Sequence, residues 1–483
     1  MAGIKKYLLL FAQDFVEFRY PEIESLIKLF KINVEVPKPT PIERPYWILE
    51  NVEESEVRQI ASRSVSLKFV AEIWSSGTSY DEFHGNVKKL MPLIDKKYKN
   101  ESFKFMVETY NKHIKLKQRI EKIETMNYLD SVLGTIDLKN PDNTFVYFEY
   151  YGIDDLNVPV HPEHIYFGRY IADGQRDLFN KISLKTRKFI GNTSMDPQLS
   201  ILMANQGLCS QNDLMFDPFC GTGSMLIAGA LFGSYVIGMD IDYLTLHAKT
   251  KPSRALQKVR AADESIRANM EQYNLQNLYL DVFVGDFANY PLKGNLKFDS
   301  IICDPPYGVR EGLLKVEKKE GRKFTAMTED AVHYPSLSDY KMTNLFHDLL
   351  NFSVKHLKID GRLVCWFPIP DKFYDDTIFP QHSALKLIST SRQQLIGDTS
   401  RILLTYEKIA ETGELVKNDA LENVDFRMKY FTQYDKERKE TRYKNHQKNL
   451  EEAEKRGIKL MNKTEWKKYV NKKRQAEAMD KDS

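Results

Sequence analysis

Between residues 214 and 406 the chain alternates between two textures. Short runs rich in Val, Ile, Leu and Phe recur at 214–216, 235–239, 280–284, 300–303, 362–367 and 401–406. Longer stretches with apolar residues at helical spacing, such as 224–231 and 340–357, lie between several of them. This alternation is satisfied by parallel strands that helices return to the same end of a sheet, each helix packing on a sheet face. It predicts an α/β class and an open, doubly wound domain over 191–410. Ligands of such sheets bind beyond the carboxyl ends of the strands, so the residues that end each run carry the chemistry.

The first run ends in DPFCGTGS, residues 217–224. Gly221 and Gly223 allow a tight turn and close backbone approach to a ligand, and the helix that follows aims its first N–H groups at the same place. The loop lacks the lysine of a Walker sequence. Asp240 ends the second run and Asp286 the third. An acid after the second strand can accept both ribose hydroxyls, and one after the third can accept from an adenine amino group. Singly, each aspartate reads as a helix cap or a turn former. Together, at successive strand ends with glycines between, they point to a nucleoside-bearing ligand. A nicotinamide cofactor is the competing ligand, against which the loop lacks a full GxGxxG.

The fourth run ends differently, in FDSIICDPPYGVR at 298–310. A nucleobase amine is a poor nucleophile because its lone pair is delocalised into the ring. Two acceptors holding its hydrogens favour tetrahedral nitrogen and aim the lone pair at an electrophile. Asp304 offers a side-chain oxygen, Pro305 a backbone carbonyl, Pro306 stiffens the turn, and Tyr307 offers a face for a flipped base. This reading requires the Asp304 carboxylate to face the ligand cleft, not to be held by a neighbouring cation.

These residues resemble the class I methyltransferases that use S-adenosylmethionine, and DPPY resembles their [DN]-PP-[YFW] signature for amino groups on planar systems. The resemblance implies a Rossmann-like fold in which Thr193 and Ser194 lie over the cofactor. It further implies that Asp217, Phe219, Gly221 and Gly223 line the loop, that Asp240 holds the ribose, and that Asp286 with Phe287 holds the adenine. Adenine N6, guanine N2 and a glutamine amide all remain open as acceptors, and no metal is required.

The front half has the mixed strands and helices of an α+β region, among them ESFKFMVETY, a following helix expected to run to Gly134, and NTFVYFEYYG. With SLKTRKFIGNTSMDPQLS, these stretches resemble a THUMP domain joined to its methyltransferase, as in the family of eukaryotic tRNA guanosine-10 N2-methyltransferase catalytic subunits. The resemblance implies a ferredoxin-like part at 1–50, THUMP at 51–160, a linker at 161–190, the methyltransferase at 191–410 and a charged extension at 411–483. It also implies that the front half grips the tRNA acceptor end. It implies a small zinc-binding activator subunit on the third strand's edge, where NLYLDVFV is an apolar row that needs cover. A DNA adenine or protein glutamine methyltransferase, or a non-catalytic RNA-binding subunit, are the alternatives.

Lys117, Arg119, Arg187 and Arg310 are the basic residues expected to contact RNA, through phosphates that position without reading sequence. Net charge is only +3, so such contact depends on local clusters. The strongest is the tail, where residues 442–474 hold twelve Lys or Arg against four Glu. Four scattered cysteines, with no CxxC pair, fit a reducing compartment and no disulfide framework. No apolar run approaches the roughly 20 residues that span a bilayer, and the expected location is cytoplasmic.

Overall fold

The computed structural model describes residues 5–36, 41–254, 257–308, 312–317, 336–371, 374–395 and 399–416, with five positions between 440 and 447. Most of the basic tail and Arg310 therefore lie outside the described residues.

The front half builds one six-stranded sheet from β1 (Lys6–Phe11), β2 (Tyr46–Glu50), β3 (Leu67–Gly77), β4 (Phe103–Tyr110), β5 (Asn143–Tyr150) and β6 (His164–Asp173). Their order is β2-β1-β3-β6-β5-β4, antiparallel throughout except for the parallel pair β4 and β5. Side chains alternate along β1 as the strand period of two requires. Tyr7, Leu9 and Phe11 pack with α1 (Arg19–Leu29) and α2 (Glu54–Ala61), while Leu8 and Leu10 join Tyr46, Phe148 and Tyr150 on the opposite face. The β4–β5 half is covered by α3 (Tyr80–Tyr98), with α4 (Leu116–Glu124) at its margin.

Two expectations are corrected here. Residues 161–190 are not a linker, because β6 lies inside the sheet, bonded to β3 on one side and β5 on the other. Residues 1–50 are likewise no separate part, since β1 and β2 belong to the same sheet as β3 to β6. The helix expected to reach Gly134 stops at Glu124, and a short 3-10 turn at Asn127–Ser131 buries Leu129.

After α5 (Arg176–Lys181) and α6 (Pro197–Gln206) comes the second sheet. Its elements are β7 (Leu214–Asp217), α7 (Ser224–Ala230), β8 (Tyr235–Asp240), α8 (Tyr243–Leu246), α9 (Ile266–Gln272), β9 (Tyr279–Val284) and β10 (Phe298–Cys303). A separate two-stranded ribbon, β11 (Leu314–Val316) with β12 (Leu337–Asp339), precedes α10 (Met342–His356). The sheet then continues with β13 (Leu357–Pro370), β14 (Gln381–His382), β15 (Leu385–Gln394), β16 (Thr399–Lys408) and β17 (Leu415–Val416). The strand order is β17-β14-β15-β16-β13-β10-β7-β8-β9. Strands β9, β8, β7, β10 and β13 run parallel to one another, and β16 is antiparallel between β13 and β15. The domain's first strand, β7, thus sits inside the sheet, and the order reverses between β7 and β10. Their carboxyl ends flank the crevice where ligands of such folds bind.

The two sheets are joined by buried polar contacts and a shared apolar core, to which Phe18 and Val65 of the front half contribute. The buried Glu22 carboxylate on α1 accepts from Ser64 Oγ (2.7 Å), the N–H groups of Val65 (2.9 Å) and Ser66 (3.1 Å), and Asn205 Nδ2 on α6 (2.8 Å). Arg63 returns to the same Asn205 through its Oδ1 and stacks 3.4 Å over the ring of Phe232. A second joint links Lys28 to Glu407 (2.6 Å), with Arg362 on Glu407 and on Ser25. Removing one member of such a network strands its partners without water. Glu22→Ala is expected to cost roughly 3 kcal/mol of stability, read as a lowered denaturation midpoint, whereas a surface control such as Glu101→Ala leaves the midpoint in place.

Candidate active site

The glycine loop follows β7 directly. Gly221 and Gly223 have φ of 49° and 80°, backbone that other residues rarely adopt. They differ in surroundings. A Cβ on Gly223 would meet Ile266 Cγ2 at 2.9 Å, whereas one on Gly221 would meet nothing within 4 Å, so the loop faces open space at Gly221. Asp240 fixes it there, with Oδ2 accepting from Gly221 N–H at 2.8 Å and Oδ1 from Asp242 N–H at 2.9 Å. Asp217 is 2% exposed and accepts from Phe219 N–H at 3.0 Å. Burial pushes its carboxyl well above the usual range; the Phe219 N–H opposes this, while Asp240 and Asp304 add to it.

Residues 193–195 lie against this loop. Ser194 Oγ is 2.6 Å from Thr222 Oγ1 and accepts from Gly191 N–H at 2.8 Å, while Thr193 is exposed. At the end of β9, Asp286 accepts from Ala288 N–H (3.0 Å), Asn289 Nδ2 (2.8 Å) and Val316 N–H of the β11 strand (3.1 Å). Phe287 is buried with its ring centroid 4.8 Å from that of Phe219. Several of the residues expected to hold the cofactor are thus linked by contacts around the glycine loop, and Asp240 and Asp286 also hold backbone.

Across the switch point, β10 ends at Cys303 and the chain turns through Asp304, Pro305, Pro306 and Tyr307. Pro305 is buried, and the half-buried Tyr307 donates its hydroxyl proton to Asp304 Oδ1. Desolvation and the Asp304 charge raise the Tyr307 pKa, which keeps the phenol a donor.

One expectation fails in part: a cation does face Asp304. Arg401, near the start of β16, places Nη1 at 3.4 Å from Asp304 Oδ2 and 3.4 Å from Tyr307 Oη. The ion pair is long against the roughly 2.7–2.9 Å of a charge-assisted bond. Arg401 escaped the sequence reading, although a charge opening the otherwise apolar run RILLTY was its visible sign.

Arg187 is a second correction. It is fully buried, donates to Ser224 Oγ (2.8 Å) and to the carbonyl of Ile182 (2.9 Å), and so anchors the start of α7 where no RNA reaches it. Lys117 is 89% exposed, with Glu121 4.0 Å away, and Arg119 is half-buried on the same short helix. Among other cations of the front half, Arg169 is paired to Glu54 and Glu72, and Arg176 to Asp14.

A reversed parallel sheet with a glycine loop on one side of the switch point and DPPY on the other defines a class I methyltransferase domain, here carried behind a THUMP-bearing module. The family model described as the Tmrp11 THUMP N-terminal domain matches residues 5–176, and the RMKL-like methyltransferase domain matches 185–332. The chain is 42% identical over 414 residues to the tRNA (guanine(10)-N(2))-methyltransferase TRMT11 of Bos taurus, covering 84% of this chain and 89% of that one. It is 33% identical over 447 residues to the tRNA (guanine(10)-N(2))-methyltransferase of Saccharomyces cerevisiae, covering 89% and 100%. Among solved structures it is similar to TrmN from Thermus thermophilus at 15% identity and a TM-score of 0.40, with 84% and 100% covered. The chain belongs to the tRNA (guanine(10)-N(2))-methyltransferase TRMT11 family.

The buried Asp217 gives a pH test. Its folded pKa lies above the unfolded value of about 3.9, so the folded state binds the extra proton and stability falls as pH rises from about 4 toward the folded pKa. Asp217→Asn keeps the acceptor for Phe219 N–H without the charge. The difference in thermal midpoint, variant minus wild type, is expected to grow as pH is raised from about 4 and to level off once pH passes the folded pKa; a difference that stays constant from about pH 4 upward would contradict the assignment.

Proposed function

We propose that this chain is the catalytic subunit of a two-chain enzyme that moves a methyl group from S-adenosylmethionine to the exocyclic N2 of guanosine 10 in tRNA. The observation that carries the reading is the seating of Asp304 and Pro305 across the switch point from the glycine loop, in a chain whose relatives are named for that reaction. The crevice fits the methyl donor on its own evidence. It opens at Gly221, and the carboxylates of Asp240 and Asp304 lie near enough to raise the pKa of Asp217, which suits a ligand bearing positive charge. When bound, that ligand supplies an electrophilic methyl on a sulfonium.

The chain's own residues do the rest. Asp240 offers its carboxylate to the ribose, Asp286 and the Phe287–Phe219 pair flank the adenine, and Thr193 with Ser194 closes over the ligand from the loop side. Asp304 and the Pro305 carbonyl accept the two N2 hydrogens of guanine, which leaves the nitrogen lone pair directed at the methyl group. Asp304 is also placed to take the proton that nitrogen sheds after transfer. Pro306 fixes the turn, and the Tyr307 ring stacks on the flipped base. Lys117 and Arg119, with the basic tail, steer the tRNA phosphates.

The small zinc-binding partner is assigned to β9. That strand is the last of its sheet, and Leu280 and Val284 are 49% and 43% exposed along it, an apolar edge that strand pairing would cover. Four buried free thiols suit a reducing compartment, so we place the enzyme in the cytoplasm, which imaging of a tagged chain would check.

Radioactive methyl mapped onto unmodified tRNA is expected at the amine of guanosine 10, and label on adenine N6 would refute the proposal. Asp304→Ala is expected to reduce transfer at least a thousandfold while cofactor affinity, measured by calorimetry, changes less than threefold. Leu280→Glu is expected to stop co-purification of the small subunit; undiminished co-purification would move the contact away from β9.

A further inference from the structure

Arg401 has more structure around it than an ion pair with Asp304 requires. It lies on β16, bonded between β13 and β15 inside the sheet. Its guanidinium carbon sits 4.0 Å over the ring of the buried Trp366, and its Nε donates to Gln393 Oε1 at 2.7 Å. Nη2 approaches the Met195 sulfur at 3.3 Å, a weak acceptor, and Nη1 makes two contacts among the described residues, both at 3.4 Å. With the plane stacked and Nε anchored, the two terminal nitrogens point toward Asp304, Tyr307 and Met195. The side chain is 12% exposed, so the charge is largely desolvated yet still reachable from the crevice.

We infer that Arg401 is the specificity-determining residue that reads the O6 of the target guanine while Asp304 holds its amine. This rests on the function proposed above. The edge of guanine presents two donors, N2–H and N1–H, followed by the O6 acceptor. Asp304 supplies acceptors and Arg401, beside it, supplies donors, so acid and guanidinium together complement that edge in order. Adenine with N6 at Asp304 would bring a ring nitrogen lone pair where guanine brings N1–H, and two acceptors would meet. The loose contact between Arg401 and Asp304 is what allows a base edge to take up both groups at once. A bidentate or charge-assisted contact of this kind discriminates by about 10- to 100-fold.

The alternative is that Arg401 only holds the Asp304 carboxylate in place, and it is separable. Single-turnover methylation, with the full chain in excess and in the purified form used for methyl mapping, is measured on two tRNAs. One carries guanosine at position 10, the other 2-aminopurine, which keeps the amine but lacks O6 and N1–H. Arg401→Met is expected to slow guanosine methylation about 10- to 100-fold and 2-aminopurine methylation less than about threefold, with cofactor affinity unchanged. Equal losses on both substrates overturn the inference and leave the proposed function standing. Failure of the wild type to methylate guanosine overturns both. Gln393→Ala keeps the cation and loosens only its Nε anchor, so it carries the same comparison if Arg401→Met does not fold: a loss confined to guanosine supports base reading, and an equal loss on both refutes it.

Discussion

Negative charge concentrated at adjacent strand ends is the constraint around which the catalytic half is arranged. A parallel sheet brings the carboxyl ends of β7, β8 and β10 to one edge, and each is followed by or ends in an aspartate: Asp217, Asp240 and Asp304. Left alone, three carboxylates in a partly desolvated crevice would repel one another. The structure answers with donors from the chain itself. Backbone N–H groups of Phe219 and Gly221 serve the first two, while the Tyr307 hydroxyl and the Arg401 guanidinium serve the third. What remains is a strand edge suited to a ligand that bears positive charge, as the proposed methyl donor does.

Much of this was legible before any coordinates. The period of strand and helix set the sheet, and aspartates at the ends of apolar runs marked its ligand edge, because that edge is a property of the topology. DPPY announced itself because two prolines at a strand end are stereochemically costly anywhere else. What stayed hidden depended on contacts between distant residues. Arg187 reads as one more cation in a basic stretch, yet its partners are Ser224 and the Ile182 carbonyl deep in the core. Arg401 reads as the first residue of a late strand, and only the antiparallel insertion of β16 carries it to Asp304. The supposed linker hid β6, whose alternation His-Ile-Tyr-Phe-Gly-Arg-Tyr is ordinary for a strand and became decisive only through its pairing with β3 and β5.

The front sheet is more than a passive attachment. Its helix α1 contributes a carboxylate to the polar joint around Asn205, and Phe18 and Val65 enter the core of the catalytic half. Anything held by the front sheet is therefore presented to the crevice across a packed junction and not through a flexible tether.

That junction also bears on how the chain is made. Asn205 follows Glu22 by 183 positions, and Glu407 follows Lys28 by 379. A nascent front module leaving the ribosome thus waits for nearly the whole remainder of synthesis before its last buried partners exist. Long sequence separations of this kind slow folding and leave apolar faces bare in the interim. The same contacts that lock the finished molecule make its biogenesis dependent on protection while it is incomplete.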